Sequence, residues 1–140
     1  MEVPVVSDFR QLRVWQEAMD MATRVQQLTA VFPAEERFGI ALQLRRAAVS
    51  VPSCIAEGNA RSSTRDYLRF LSMSAGSLAE IETQLLLATR FGYVSEGALA
   101  TTLTHLHAIA RQLQALRSAL SKKLAPTPTF PVPRSPFPAR

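Results

Sequence analysis

The chain has 140 residues, 47% of them apolar and 19% charged, which is enough for one packed domain and too little for two ordinary ones. That balance excludes a tail-like disordered chain, and a single cysteine, Cys54, excludes a disulfide scaffold. The formal charge is +5, from 16 basic and 11 acidic residues, and the basic set is nearly all arginine, which favours phosphate and carboxylate partners.

The opening stretch MEVPVVSDFRQLRVW lacks a basic run followed by an apolar one, so no signal peptide is expected. No charge-free apolar run approaches the ~20 residues of a bilayer span, and the longest charge-free stretch, 97–110, is diluted by threonines and two histidines. A cytoplasmic address, without membrane partners, is therefore expected. Ser7 and Asp8 are candidate caps for a first helix running to about Val31 and stopping before Pro33. Its apolar positions, Leu12, Trp15, Met19, Ala22, Val25 and Leu28, with Met21 and Phe32 flanking, step by three and four. A second helix is expected from Glu35 or Glu36 to Glu57, with Gly58 ending it in a left-handed cap. Ser62 or Ser63 caps a third, about 64–91, closed by Gly92; Ser95 caps a fourth, about 96–124. The fourth carries Leu99, Leu103, Leu106, Ile109, Leu113, Leu116 and Leu120 at helical spacing.

Connections of about three to six residues place successive helices antiparallel, and no window alternates with period two. The expected class is all-α: an antiparallel, up-down-up-down four-helix bundle over residues 1–124. Residues 125–140, APTPTFPVPRSPFPAR, alternate prolines and are expected to be extended or disordered. Pro128–Pro131 and Pro133–Pro136 have the spacing of a docking peptide, although a solvated extension also accounts for them.

The chemistry an enzyme would need is missing from the sequence. His105 and His107, two apart on a helix, point away from each other and have no acidic residue three before them, so neither a shared metal nor a di-iron site is expected. Cys54 has no activating base nearby in sequence, and no glycine-rich phosphate loop is present. No cofactor and no catalytic residue is assigned.

Two features are less ordinary. Pro52 sits inside the second helix among small and β-branched residues, and Ser74, Ala75, Gly76 and Ser77 put four small residues midway along the third. These patches face each other across the bundle or face another subunit. Arginines also concentrate between Arg37 and Arg69. Arg61, Arg65 and Arg69 stand at i, i+4, i+8 and form one ridge if the third helix reaches back to Arg61. The alternatives for that ridge are pairing with Glu57, Asp66, Glu80 or Glu82, and a phosphate-facing role. Basic residues accumulate again at Arg111, Arg117, Lys122 and Lys123, the last two as ordinary complements of a helix carboxyl end.

The blocks LRVWQEAMDMA (12–22), FPAEERFGIALQLRRAAVSVPSCIAEGNAR (32–61) and YLRFLSMSAGSLAEIETQLLLATRFGYV (67–94) resemble the four-helix-bundle family encoded in 23S ribosomal RNA intervening sequences. The resemblance spans about residues 8–120. It also places the chain near the accessory variability determinant of diversity-generating retroelements, which has a similar fold. It implies a homopentameric barrel without catalytic activity, and a basic surface like the one through which the retroelement relative binds nucleic acid and a reverse transcriptase. The matching positions are Arg45 and Arg46, Glu57–Gly58, Arg61 and the Gly76–Ser77 step; Cys54 stands where the family commonly has asparagine, which points to packing there.

The expected function is a non-enzymatic, homo-oligomeric scaffold that binds structured RNA or DNA through Arg45, Arg46, Arg61, Arg65, Arg69, Arg111 and Arg117. The alternative is a protein-interaction adaptor, for example one docking a reverse transcriptase, with nucleic acid incidental. Trp15, Tyr67 and Tyr93 are dispersed, so no stacking platform for single strands is expected.

Overall fold

A computed structural model describes residues 8–124 and Pro131; the proline-rich segment otherwise lies outside the described residues, as does Ser7. Four helices account for the fold: α1 (Arg13–Thr29), α2 (Ile40–Ala60), α3 (Thr64–Arg90) and α4 (Glu96–Ser121), with no strand among the described residues. Short 3-10 turns at Phe9–Gln11 and Ala34–Glu36 precede α1 and α2.

The start signals are partly displaced. Asp8 does cap, but it caps the first 3-10 turn, where its carboxylate accepts from the Arg10 N–H at 3.0 Å; α1 begins only at Arg13. The side-chain hydrogen bond from Arg10 holds the Asp8 carboxyl below its ordinary pKa. The expected start of the second helix at Glu35 or Glu36 is likewise corrected. Those glutamates lie in a separate turn, and Gly39 breaks the chain before Ile40. Glu36 then turns back so that its Oε2 accepts from the Ile40 N–H at 3.4 Å, while its Oε1 accepts from the Tyr93 hydroxyl at 3.2 Å. Ser63 and Ser95 cap α3 and α4 by accepting from Asp66 and Ala98 N–H groups. α4 finishes at Ser121, three residues short of the expected end, in a turn closed by Lys122, Lys123 and Leu124 N–H groups.

Gly92 closes α3 with φ +83°, the one left-handed residue described, and no atom lies near the place of a β-carbon there. The penalty for a side chain is therefore purely conformational. Gly92→Ala should cost about 1 kcal/mol, read as a lower urea midpoint with an unchanged slope.

Gly58 behaves differently from the expected cap. α2 continues through it to Ala60, and Gly58 is buried. A β-carbon there would lie 2.9 Å from Phe70 Cβ and 3.2 Å from the Tyr67 carbonyl oxygen. Glycine is present for the close approach of α3, and not for a left-handed conformation.

Contacting pairs between α2 and α3 run from Gln43–Gln84 through Ser50–Ser77 and Val51–Ser74 to Asn59–Tyr67, one number rising as the other falls. The small-residue patches thus meet inside the chain. Ser74, fully buried, donates to the Val51 carbonyl at 2.9 Å beside Pro52, and the Ser77 hydroxyl meets that of Ser50 at 2.9 Å. Gly76 takes no part in this contact and opens to the outside.

The core contains Met21, Leu44, Ile55, Leu71, Ile81, Leu85, Ile109 and Leu113, all essentially inaccessible. On α1 the buried face is Val14, Ala18, Met21, Val25 and Thr29, which corrects the stripe read from the sequence. Of that stripe only Val25 is fully buried; Leu12, Trp15, Ala22 and Leu28 are half-buried and pack against the core, Met19 is 44% exposed, and the flanking Met21 and Phe32 are buried. Two overlapping helical stripes exist on α1: one points straight into the core, and the other packs along its edge with Met19 outermost.

Candidate nucleic-acid interface

The seven arginines expected to bind nucleic acid do not form one surface. Arg61 ends α2 with extended backbone (φ −77°, ψ 149°), and α3 starts at Thr64. The continuous ridge is therefore corrected, because the turn at Arg61–Ser63 breaks its helical spacing. Arg65 and Arg69 still share a face of α3, and Arg61 reaches Arg69 by another route. The Arg61 Cζ lies 4.9 Å from the centre of the Phe70 ring, and the Arg69 Cζ lies 5.0 Å from it.

Phe70 is buried beneath these two guanidinium groups. Stacking uses the flat face of each cation and leaves its edge donors for an anion. Asp66 offsets part of this charge by pairing with Arg69 at 3.9 Å. The anticipated pairing of Glu57 with Arg61 is not among the ion pairs of the described residues, and Arg65 is exposed and also without one. Beneath the cluster, Asn59 donates to the Tyr67 hydroxyl at 3.3 Å; burial raises the Tyr67 pKa, and this hydrogen bond only partly lowers it, so the phenol stays neutral.

Arg117 belongs to the same end of the molecule. Its Nη2 donates to Ser72 Oγ on α3 at 3.1 Å, and it lines a groove with Leu68, Gln114, Ser118 and Lys122. The contacts Asn59–Tyr67 and Ser72–Arg117 bring the carboxyl-terminal parts of α2 and α4 to the amino-terminal part of α3, and Arg24–Thr102 with Glu17–Gln112 carries the start of α1 to the same end. That end holds Arg10, Arg13, Arg61, Arg65, Arg69, Arg117, Lys122 and Lys123 against Asp8, Glu17, Glu57 and Asp66. Elsewhere in the described chain, Arg24, Arg37, Arg45, Arg46, Arg90 and Arg111 are matched in number by Asp20, Glu35, Glu36, Glu80, Glu82 and Glu96. The whole excess of positive charge among the described residues therefore lies at one end.

The remaining three predicted residues stand apart. Arg45 is partly buried and its Nε donates to the buried Thr29 hydroxyl at 2.8 Å, fastening α2 to α1. Arg46 is exposed on α2 and Arg111 on α4, and no recorded contact joins either to the Phe70 cluster. The residues that the sequence does not single out are Phe70 and Ser72. Nothing in the spacing signals that Phe70 would be flanked by two cations across a turn.

The other chemical candidates resolve into packing and surface contacts. Cys54 is buried with its Sγ 3.7 Å from the Ser50 hydroxyl, and His107 Nε2 meets Glu82 Oε1 at 2.6 Å on the surface. No group of three or more His, Cys, Asp or Glu side chains among the described residues could hold a metal ion. No helix among them is long and apolar enough to cross a membrane.

One further surface is conspicuous for its lack of charge. Trp15, Met19 and Ala22 of α1 and Val49, Pro52 and Ala56 of α2 line an open apolar groove of about 550 Å³. Trp15, Met19 and Ala22 belong to the outer of the two stripes on α1.

Comparison with known proteins is consistent with this geometry. The model of the 23S rRNA-intervening sequence protein family matches residues 10–115. Among curated proteins, none matches. A crystal structure of a protein of unknown function from the S23 ribosomal protein family of Bacteroides thetaiotaomicron superposes with a TM-score of 0.69 at 20% identity. The similarity covers 74% of this chain and 97% of that one, and it extends to the fold.

Proposed function

Because the chain belongs to the family of 23S rRNA-intervening sequence proteins, we propose that it is a non-enzymatic scaffold that assembles from copies of itself and binds the phosphate backbone of structured RNA. The bundle is antiparallel throughout, as the falling register of its contacting pairs supports, and the assembly is a closed ring, with five copies as the family resemblance suggests. The observation that carries the RNA assignment is the placement of all excess positive charge at the end that holds Arg61 over Phe70, Arg65 on α3 and Arg117 against Ser72. Repeated around a ring, that end becomes a field able to attract a polyanion.

Backbone recognition fits these groups better than base recognition. Guanidinium edges match phosphate geometry, while Trp15 packs edge-on against Phe9 in the apolar groove, Tyr93 follows the far end of α3 and Tyr67 is partly covered. Arg45 is excluded from the contact set by its bond to Thr29. Photo-crosslinking of a structured RNA to the full-length protein, with adducts mapped by mass spectrometry, tests the assignment. Adducts should fall within residues 61–72 and 117–123. Adducts confined to the proline-rich segment, or none, would contradict it and favour a protein-docking adaptor.

A further inference from the structure

We propose that the apolar groove between α1 and α2 receives the outer stripe of α3 from a second copy of this chain. The inference rests on the self-assembly part of the proposed function and is independent of nucleic acid. The groove is lined by Trp15, Met19 and Val49, and Val49 is 58% exposed, an unusual position for valine beside a continuous apolar surface. The same chain carries a second apolar stripe without a partner among the described residues: Met73 is 49% exposed on α3 and Leu87 is 39% exposed on the same face.

Charge and size identify the occupant. On α2, Arg46, Val49, Ser53 and Glu57 step by three and four along the groove wall; on α3, Arg69, Met73, Gly76 and Glu80 do the same. In each stripe the cation and the carboxylate stand eleven residues apart, about 16 Å along a helix. All four charged side chains are exposed, and Arg46, Glu57 and Glu80 have no ion-pair partner among the described residues.

Laid antiparallel, the two stripes match at every position. Arg46 meets Glu80 of the other copy and Glu57 meets its Arg69. Between them Val49 faces Gly76, and Ser53 faces Met73, so a large side chain meets a small one both times. Gly76 is free to receive Val49 because no atom lies within 4 Å of where its β-carbon would stand. The surfaces are different patches of one chain, so the contact is heterologous and repeats from copy to copy. Antiparallel pairing of α2 with a neighbour's α3 leaves all bundles pointing the same way, as a closed ring requires. Arg46 and Arg69 would then serve the interface, leaving Arg61 and Arg65 for phosphate.

Sedimentation velocity of the nuclease-treated full-length protein tests the pairing. The unsubstituted protein should sediment as an oligomer at micromolar concentration. Glu57→Arg and Arg69→Glu should each weaken assembly more than about tenfold, by placing like charges opposite each other. Combined in one chain, they should restore it to within about threefold. Gly76→Leu, which projects into open space within one copy, should abolish assembly while leaving the helical circular dichroism unchanged. A protein monomeric at all concentrations would overturn both this proposal and the assembly part of the function. An oligomer indifferent to these substitutions, or a charge swap without recovery, would overturn this surface alone and leave assembly standing.

Discussion

Gly58→Val is expected to destabilise the fold by about 3 kcal/mol, the largest single-residue effect outside the deeply buried side chains. A β-carbon at Gly58 would stand 2.9 Å from Phe70 Cβ and 3.0 Å from Tyr67 Cδ1, and neither is the free end of a flexible chain. Relief requires α2 and α3 to separate at the end where Phe70 is flanked by Arg61 and Arg69. The consequence therefore reaches function as well as stability. Gly76→Ala makes the contrast: within one copy that position is helical with no neighbouring atoms, so the change should stabilise the single-copy fold by about 1 kcal/mol through helix propensity, measured at a concentration low enough to keep the copies apart. Thermal unfolding of both variants checks the pair, with a drop of roughly 10 °C for the first and a small rise for the second. Equal behaviour of the two would mean that the close approach at Gly58 is not essential to the fold.

The second large effect concerns binding. Arg61→Glu with Arg65→Glu should lower affinity for structured RNA by more than tenfold, roughly, and flatten the log–log salt dependence by about 1.4–1.8 for each chain in contact. Both side chains are exposed, so the fold should survive. Arg134→Glu with Arg140→Glu changes net charge by the same amount in the proline-rich segment, and its effect should be much smaller. Equal weakening by the two pairs would show diffuse attraction with no site.

The sequence carried the number and kind of elements because serine caps, Gly92 and the apolar period act locally. Ser63, Ser95 and Gly92 occupy the roles their chemistry suggested. What it did not carry depends on distant neighbours. The two stripes of α1 share the same period, and the approach of α2, through Thr29 with Arg45, and of α4, through Arg24 with Thr102 and Glu17 with Gln112, decides which one turns inward. Gly58 illustrates the same limit: a glycine after an acidic helical residue reads as a cap, whereas here tertiary contact with Tyr67 and Phe70 sets its role. The arginine spacing at 61, 65 and 69 was legible, but the turn at Arg61–Ser63 turned a ridge into a cluster around one ring. Arg45 and Arg46 are adjacent in sequence yet part company, one fastened to Thr29 and the other exposed.

The central claim is that the charged end binds RNA through phosphate contacts, and fluorescence anisotropy with labelled structured RNA across a salt series tests it most directly. Nuclease-treated protein should bind at low salt and weaken steeply, with a slope of roughly −0.7 to −0.9 for each phosphate contact and several contacts per particle. Absent binding at low salt, or affinity that ignores salt, would contradict the account, and the arginines at the Phe70 end would then serve the fold or a protein partner.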